Sequence, residues 1–310
     1  MKLSVVTTLY NTSDYLSEFL SRVLNLQSEE NVDSHELILV DDGSTEEQYL
    51  KAKSISATYE NIKLIRLSRN FGHHHALLEG LGQATGDLIF LVDSDLEEDP
   101  SDFSHLYLEM FRTNADLVYG YQANRRGGLW ERLSGNLFYF FMNKFMKVEI
   151  PENMLTSRLM NRRYLDALLR HTETQINFSG LSIITGFNQT KVPLKKIRLR
   201  KTSYSLSRKL SVLIDAVTSF SSSPLKLIFG TGVVIFTASA IVTLSLLIEW
   251  INDGNPTSGW ASLILSIWFL GGLNMLSLGV IGIYISKIFM ETKRRPRVIV
   301  SEVFLSDGYR

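Results

Sequence analysis

Residues 88–97 read Leu88-Ile89-Phe90-Leu91-Val92-Asp93-Ser94-Asp95-Leu96-Glu97. An unbroken apolar run that ends abruptly in carboxylates is the pattern of a strand buried on both faces, whose carboxyl end opens into a polar turn. The pattern recurs upstream. Residues 36–40 run into Asp41-Asp42-Gly43-Ser44, residues 3–9 into Tyr10-Asn11, and residues 62–67 into Ser68-Arg69-Asn70. Helical stretches separate them at 14–26, with Thr12 or Ser13 as the N-cap, at 46–57 and at 75–84. Strands alternating with helices predict an α/β fold with a mostly parallel sheet and helices on both faces. Such sheets bind ligands at the carboxyl ends of their strands, so these polar strand ends predict one site along one edge.

The chemistry of that edge is acidic. Asp93 and Asp95, separated by one residue at a strand end, can reach one divalent ion if the chain turns there, and Glu97 can add a third oxygen. Hard Mg²⁺ or Mn²⁺ favours oxygen ligands and bridges carboxylates to substrate phosphates. The plainer alternative is a polar turn before a helix opened by Asp99-Pro100. Asp41 at a neighbouring strand end favours the metal. His73-His74-His75 looks like a metal clamp, but adjacent helical residues point about 100° apart and converge poorly on one ion. One of the three is better placed near a ligand phosphate at the helix start.

The chain has 310 residues, 45% of them hydrophobic, with 32 basic and 32 acidic side chains, a mean hydropathy of +0.05 and no cysteine. This composition excludes a disordered chain, a disulfide scaffold and a thiolate zinc site. Neutrality in total argues against a nucleic-acid binder. Along the chain, however, the charge is unevenly spread. Residues 1–190 carry a net −9, residues 191–226 a net +8, and the tail from 287 a net +3. Between 227 and 286 the charged side chains are Glu249 and Asp253 alone. Two apolar runs flank them, each long enough to cross a bilayer core, which takes about 20 residues. Basic flanks stay in the cytoplasm, so both termini are expected there with the short loop outside. Residues 1–9 are too short and too rich in Thr for a signal peptide.

The expected organisation is a cytoplasmic catalytic domain at 1–200, a juxtamembrane amphipathic helix at 201–224, and transmembrane helices at 225–250 and 259–287. A loop at 251–258 joins the two helices, and a cytoplasmic basic tail occupies 288–310. Leu206, Leu210, Leu213, Ile214, Val217 and Phe220 recur at helical spacing opposite Arg208 and Lys209, which suits a helix lying in the membrane interface. Asn274 in the second run fits an interhelical hydrogen bond, and Gly282 with Ser286 fits close helix packing, within the hairpin or in a homo-oligomer.

The series Thr8-Leu9-Tyr10-Asn11, Val40-Asp41-Asp42-Gly43-Ser44, Ser68-Arg69-Asn70-x-Gly72, Gly86-Asp87 and Asp93-x-Asp95 resembles family 2 glycosyltransferases. Two C-terminal apolar runs, preceded by Ser219-Phe220-Ser221-x-x-Pro224-Leu225, narrow the likeness. The chain is similar to dolichol-phosphate mannose synthase and to bacterial undecaprenyl-phosphate sugar transferases.

This resemblance implies a GT-A nucleotide-sugar-binding domain in the bacterial inner membrane, using Mg²⁺ or Mn²⁺. It would invert the anomeric centre as it moves one sugar from a nucleotide donor, preferentially a UDP-sugar, to a polyprenyl phosphate. Carried onto this sequence, Leu9, Tyr10, Asn11, Asp41, Arg69 and Ser94 fall at the nucleotide sugar. Asp93, Asp95 and Glu97 fall at the metal, and Arg125, Arg126, Arg132 and Arg158 at the acceptor phosphate, with Asp93, Asp95 and Arg125 as the catalytic set. The chain departs from the family pattern at Thr8, Thr12, Gln122 and Leu155-Thr156, around the acceptor and sugar pockets. Gly127-Gly128 reads as a loop near the acceptor, since no strand-to-helix context makes it a phosphate cradle. Two other readings remain at this point: a processive polysaccharide synthase, although the chain lacks Gln-x-x-Arg-Trp, and an inert membrane partner that kept the fold.

Overall fold

The computed structural model describes residues 1–26, 32–123, 151, 153–174, 177–197, 218, 222–253 and 259–309. The chain divides into two units. The first comprises Met1–Tyr139, Ile150–Tyr204 and Arg295–Arg310, and the second Phe140–Glu149 and Ser205–Arg294.

In the first unit the apolar runs form β1 (Lys2–Leu9), β2 (Ser34–Asp41), β3 (Ile62–Leu67) and β4 (Leu88–Leu91). They alternate with α1 (Ser13–Asn25), α2 (Glu46–Ser56) and α3 (His73–Gly82). After β4 come α4 (Phe103–Thr113), β5 (Leu117–Tyr121), β6 (Met154–Asn161), α5 (Arg162–Leu168), α6 (Phe178–Ile184) and β7 (Gln189–Pro193). With β8 (Val300–Leu305) they build an eight-stranded sheet in the order β7-β5-β6-β4-β1-β2-β3-β8. Strands β4, β1, β2 and β3 are mutually parallel, with Leu9 opposite Asp41 and Asp41 opposite Arg66. Their carboxyl ends therefore share one edge.

Alternation along each strand divides the core between the two faces. Leu3, Val5, Leu9, Leu37 and Leu39 pack with α1, α2 and α4. Val6, Ile38, Val40 and Ile65 pack with α3, α5 and α6. On that second face, α3 lies so close to the sheet that a Cβ added at Gly80 would stand 2.7 Å from Val6 Cγ1.

Strand β8 corrects the expected organisation. Residues 295–310 are not a separate basic tail; they rejoin the catalytic unit, where β8 pairs antiparallel to β3 with Val303 opposite Ile65. Val300, Val303, Phe304 and Leu305 carry the strand pattern, next to the Lys293–Arg297 run that dominates the composition of the tail.

The second unit contains α7 (Ser223–Asp253) and α8 (Trp260–Thr292). Among the described residues, one helical segment, Ser266–Thr292, is long and apolar enough to cross a membrane, with a mean hydropathy of 1.7; Ser223–Ser239 is a shorter apolar stretch. Phe229, Phe236, Trp268, Phe269 and Met275 are exposed on these helices. The amphipathic pattern of residues 206–217 and the turn at 254–258 lie outside the described residues.

Candidate active site

The polar ends of β1 to β4 meet at the carboxyl edge. After β1, Asn11 adopts the left-handed conformation (φ 54°). Its backbone N–H donates to Ser44 Oγ at 3.0 Å, and its Oδ1 accepts from Thr45 N–H at 3.1 Å. These bonds fasten the first loop to the start of α2 and leave Tyr10 exposed at the rim.

After β2, Gly43 (φ +73°) lies against the backbone that follows β3. A Cβ there would stand 2.3 Å from the Arg69 carbonyl carbon and 2.4 Å from Asn70 N. Only glycine fits this approach without displacing backbone. Asp42 reinforces it, accepting from Phe71 N–H at 2.7 Å and Gly72 N–H at 3.0 Å. Arg69 is exposed beside it, its guanidinium 4.0 Å from the Phe71 ring centre.

Asp41 is 1% exposed. Its Oδ1 accepts from Ser44 N–H at 3.4 Å, its Oδ2 has no hydrogen-bond partner, and Arg66 Nε stands 3.9 Å away. Burial raises its pKa. A buried carboxylate oxygen without a partner is costly unless a ligand donor completes it. This fits the nucleotide contact that the resemblance implies for Asp41.

After β4 the chain turns through Leu96, a non-glycine residue at φ 59°. The turn gathers Asp93, Asp95, Glu97 and Glu98. Asp95 Oδ1 accepts from Glu97 N–H at 3.0 Å. Glu98 is buried and accepts from Thr156 N–H at 3.2 Å, Ser157 N–H at 2.6 Å and Ser157 Oγ at 2.6 Å, so it binds the acidic turn to β6. Burial, then Glu98 and Asp95, push Asp93 up to about 7. Burial also raises Asp95. The turn carries more negative charge than its surroundings neutralise, which fits a cation. Among the described residues, no three His, Asp or Glu side chains form a ready ligand set. A cation held by Asp93, Asp95 and Glu97 would need further oxygens, and a diphosphate has them.

The His73-His74-His75 rings diverge. His73 Nδ1 lies 3.0 Å from Thr8 Oγ1, and its Nε2 lies 3.6 Å from Asp93 Oδ1. His75 Nε2 lies 3.1 Å from the Thr174 carbonyl, and His74 packs near Phe178. Burial, then His74, Arg158 and Lys196, push His73 down to about 4, so a neutral imidazole stands beside Asp93.

Two expected site residues have other roles. Arg158 does not face an acceptor surface: it is 2% exposed, stacks on Phe178, and donates to Ser182 Oγ, Leu155 O and Thr156 O. Its alternation in β6 points it into the core, where burial lowers its pKa to about 10. The Ser94 side chain is likewise buried, and its hydroxyl donates to the Thr8 carbonyl at 2.7 Å, joining the ends of β4 and β1. Arg125, Arg126, Arg132 and Gly127-Gly128 lie outside the described residues.

The sequence reading missed two residues at the site. Glu98 has no motif of its own beside Glu97. Lys196, one of the basic residues of the net +8 stretch at 191–226, stands in the acidic turn, 3.2 Å from Glu97 Oε2 and 3.6 Å from Glu98 Oε1. Burial opposes its charge, but Glu98, Glu97 and Asp93 outweigh it and raise its pKa.

A mostly parallel sheet with acids gathered at its carboxyl edge is the frame of a GT-A-like α/β glycosyltransferase. The chain belongs to glycosyl transferase family 2, whose model matches residues 4–169. It is 41% identical over 99% of its length to a protein of Mycobacterium tuberculosis (strain CDC 1551 / Oshkosh) described as putative glycosyltransferases, of which it covers 90%. It is 29% identical over 98% of its length to the prophage bactoprenol glucosyl transferase homolog of Escherichia coli (strain K12), covering 99% of that protein. It is also 29% identical over 97% of its length to the bactoprenol glucosyl transferase of Shigella phage SfX, covering 99% of it.

Proposed function

We propose that this glycosyltransferase moves one sugar from a nucleotide sugar, preferentially a UDP-sugar, to undecaprenyl phosphate at the cytoplasmic face of a bacterial inner membrane. One observation carries the reading. The family model ends at residue 169, yet the likeness to proteins named bactoprenol glucosyl transferase covers 97–98% of the chain and so takes in the helical unit. What is shared therefore includes the apolar helices, the part suited to a lipid acceptor.

The site chemistry agrees. Tyr10, Asn11, Asp41 and Arg69 border the edge where the donor nucleotide would lie. Asp93, Asp95 and Glu97 would hold Mg²⁺ or Mn²⁺, which supplies charge neutralisation at the departing diphosphate. An acceptor phosphate oxygen attacks the anomeric carbon as the bond to the diphosphate oxygen breaks. The diphosphate leaves with the electron pair, and the configuration inverts. No general base is needed, because a phosphate monoester has a second pKa of about 6 and is mostly dianionic near neutrality. What must be overcome is repulsion between two anions, and arginine forks suit that task. Arg125, Arg126 and Arg132 take it on the resemblance.

Membrane attachment by α7 and α8 is supported by their exposed apolar side chains and by the return of β8. The chain leaves the catalytic unit after β7 and rejoins the same sheet, which a helical hairpin with both ends on one membrane face would allow. The net +8 of residues 191–226 suits a cytoplasmic membrane surface.

The test incubates the purified full chain in lipid vesicles with Mn²⁺ or Mg²⁺, undecaprenyl phosphate and a panel of radiolabelled nucleotide sugars. Label is expected in the lipid fraction with one donor. No lipid-linked product from any donor refutes the proposal.

A further inference from the structure

Lys196 holds a position that the proposed transfer reaction does not by itself explain. It follows β7, far along the chain from the acidic turn, yet its Nζ stands 3.2 Å from Glu97 Oε2 and 3.6 Å from Glu98 Oε1. The next residue fixes the approach, since Ile197 N–H donates to the Glu97 carbonyl at 2.8 Å. The two carboxylates are not equivalent partners. Glu98 is bound to the backbone and hydroxyl of β6, and its side chain is 2% exposed. The Glu97 side chain, 16% exposed, is the one that the proposed function assigns to a metal.

Lysine differs from the other cation nearby. The Arg158 guanidinium is fixed by Ser182, Leu155 and Thr156 and cannot leave. The Lys196 ammonium is a point charge on a flexible stem, its side chain 28% exposed, and can withdraw toward solvent.

We propose that Lys196 is a positioning residue that serves as a stand-in cation. It holds the Glu97 carboxylate while no divalent ion is bound, and it yields that carboxylate when the ion arrives. The inference rests on the metal-assisted reading above. An acidic turn left without a cation suffers self-repulsion, and a lysine at salt-bridge distance relieves it. The same lysine then competes with the metal for Glu97, so metal binding without donor is weak. Binding becomes favourable once diphosphate oxygens join the ligand set.

The test uses the full chain in detergent, with Mn²⁺ alone as the probe and free Mn²⁺ measured by electron paramagnetic resonance. Removing one positive charge about 3 Å from a ligand oxygen should tighten Mn²⁺ binding on the order of tenfold in Lys196→Gln, with the gap narrowing at high salt. Lys196→Arg, which keeps the charge, should bind Mn²⁺ no more tightly than the wild type does. An unchanged or weaker affinity in a folded Lys196→Gln overturns the proposal, as expected if the residue only braces the turn.

A measurement on the wild type covers the case in which Lys196→Gln does not fold. Amine labelling read by peptide mass spectrometry should rise at Lys196 when Mn²⁺ is added, because Nζ is released. Labelling that stays constant or falls overturns the proposal. Transfer to undecaprenyl phosphate is read in a separate assay. Lipid-linked product with no change at Lys196 therefore defeats this inference alone, whereas no Mn²⁺ bound by any of the proteins defeats the metal assignment and the inference together.

Discussion

Strand β2 carries two buried carboxylates, Glu36 near its start and Asp41 at its end, 2% and 1% exposed. Glu36 is fully engaged. Its Oε1 accepts from Ser4 Oγ at 2.5 Å and Thr85 N–H at 2.6 Å, both its oxygens lie 2.9 Å from Thr85 Oγ1, and Lys2 Nζ and Tyr309 OH each lie 3.3 Å from Oε2. Burial alone would raise its pKa, but the bonds from Ser4 and Thr85, with Lys2, overcome it and hold Glu36 below the ordinary range. Asp41 has one long hydrogen bond and one oxygen with none, the Arg66 guanidinium standing 3.9 Å off, and burial raises it. Asp93, farther along the same edge as Asp41, is raised more, to about 7. Two acids on one strand, equally removed from water, thus shift in opposite directions. Where the fold needs a buried charge, it surrounds the charge with donors. Where the acids stand unsatisfied, a ligand would supply the missing partners under the proposed function.

The largest test of this contrast is Asp95→Asn. If the carboxyl edge is reserved for ligands, transfer to lipid should fall on the order of a thousandfold while the thermal melt is nearly unchanged. A folded variant with full activity removes Asp95 from the site.

Asp93→Asn sharpens the contrast through pH. An unperturbed Asp titrates at about 4. Below that value Asp93 is protonated in both folded and unfolded states, and the substitution is neutral in charge. Between about 4 and the folded value of about 7, the unfolded wild type ionises while the folded form resists. Wild-type stability therefore falls as pH rises through this window, and that of Asp93→Asn does not. The advantage of the variant should open across the window and level off above it, reaching on the order of a few kcal/mol. Denaturant midpoints measured in chelator across pH check this. A gap that does not change with pH removes the electrostatic account of Asp93.

Glu36→Gln should do the reverse. It should cost about 2 kcal/mol at neutral pH, because the variant loses a charge that accepts several bonds. The sign also reverses. The contribution of an acid held low is present above the ordinary carboxylate range and is lost as pH falls through the folded value, so the penalty should shrink in acid. Transfer per folded molecule should stay within about threefold of wild type. A folded Glu36→Gln as inactive as Asp95→Asn would erase the distinction between the two ends of the strand.

The frame of this contrast is legible in the sequence, because strands buried on both faces must be apolar throughout and can turn polar only at their ends. Residues 88–97 therefore reveal both β4 and its acids. What depends on long-range contact is hidden. Nothing around Lys196 indicates that it meets Glu97, and a run of basic residues looks alike whether it faces lipid or an acidic turn. Arg158 sits in a motif-like stretch, but whether it meets a phosphate or the core depends on the phase of β6, set by its pairing with β4 and β5. The alternation of β8 is present in the sequence, but the Lys293–Arg297 run beside it and the apolar helix before it outweigh it by composition.

The smallest expected effect belongs to the other end of that strand's network. Tyr309 OH reaches Glu36 Oε2 at 3.3 Å, joining the last residues of the chain to the second strand of the sheet. Burial, then Glu36, push the phenol up to about 12, so it remains a donor throughout the neutral range. The bond is long, and the Glu36 oxygens have nearer partners, so Tyr309→Phe should cost only about 0.5–1 kcal/mol. The cost should disappear in the Glu36→Gln background, since removing the charge removes most of what the hydroxyl contributes. Thermal melts of the two single variants and the double variant give the coupling. A cost above about 3 kcal/mol, or full additivity, would show that Tyr309 acts elsewhere. The anchoring of the tail would then rest on the β3–β8 ladder and on the Ser306 hydroxyl, which accepts from Ile62 N–H at 2.8 Å.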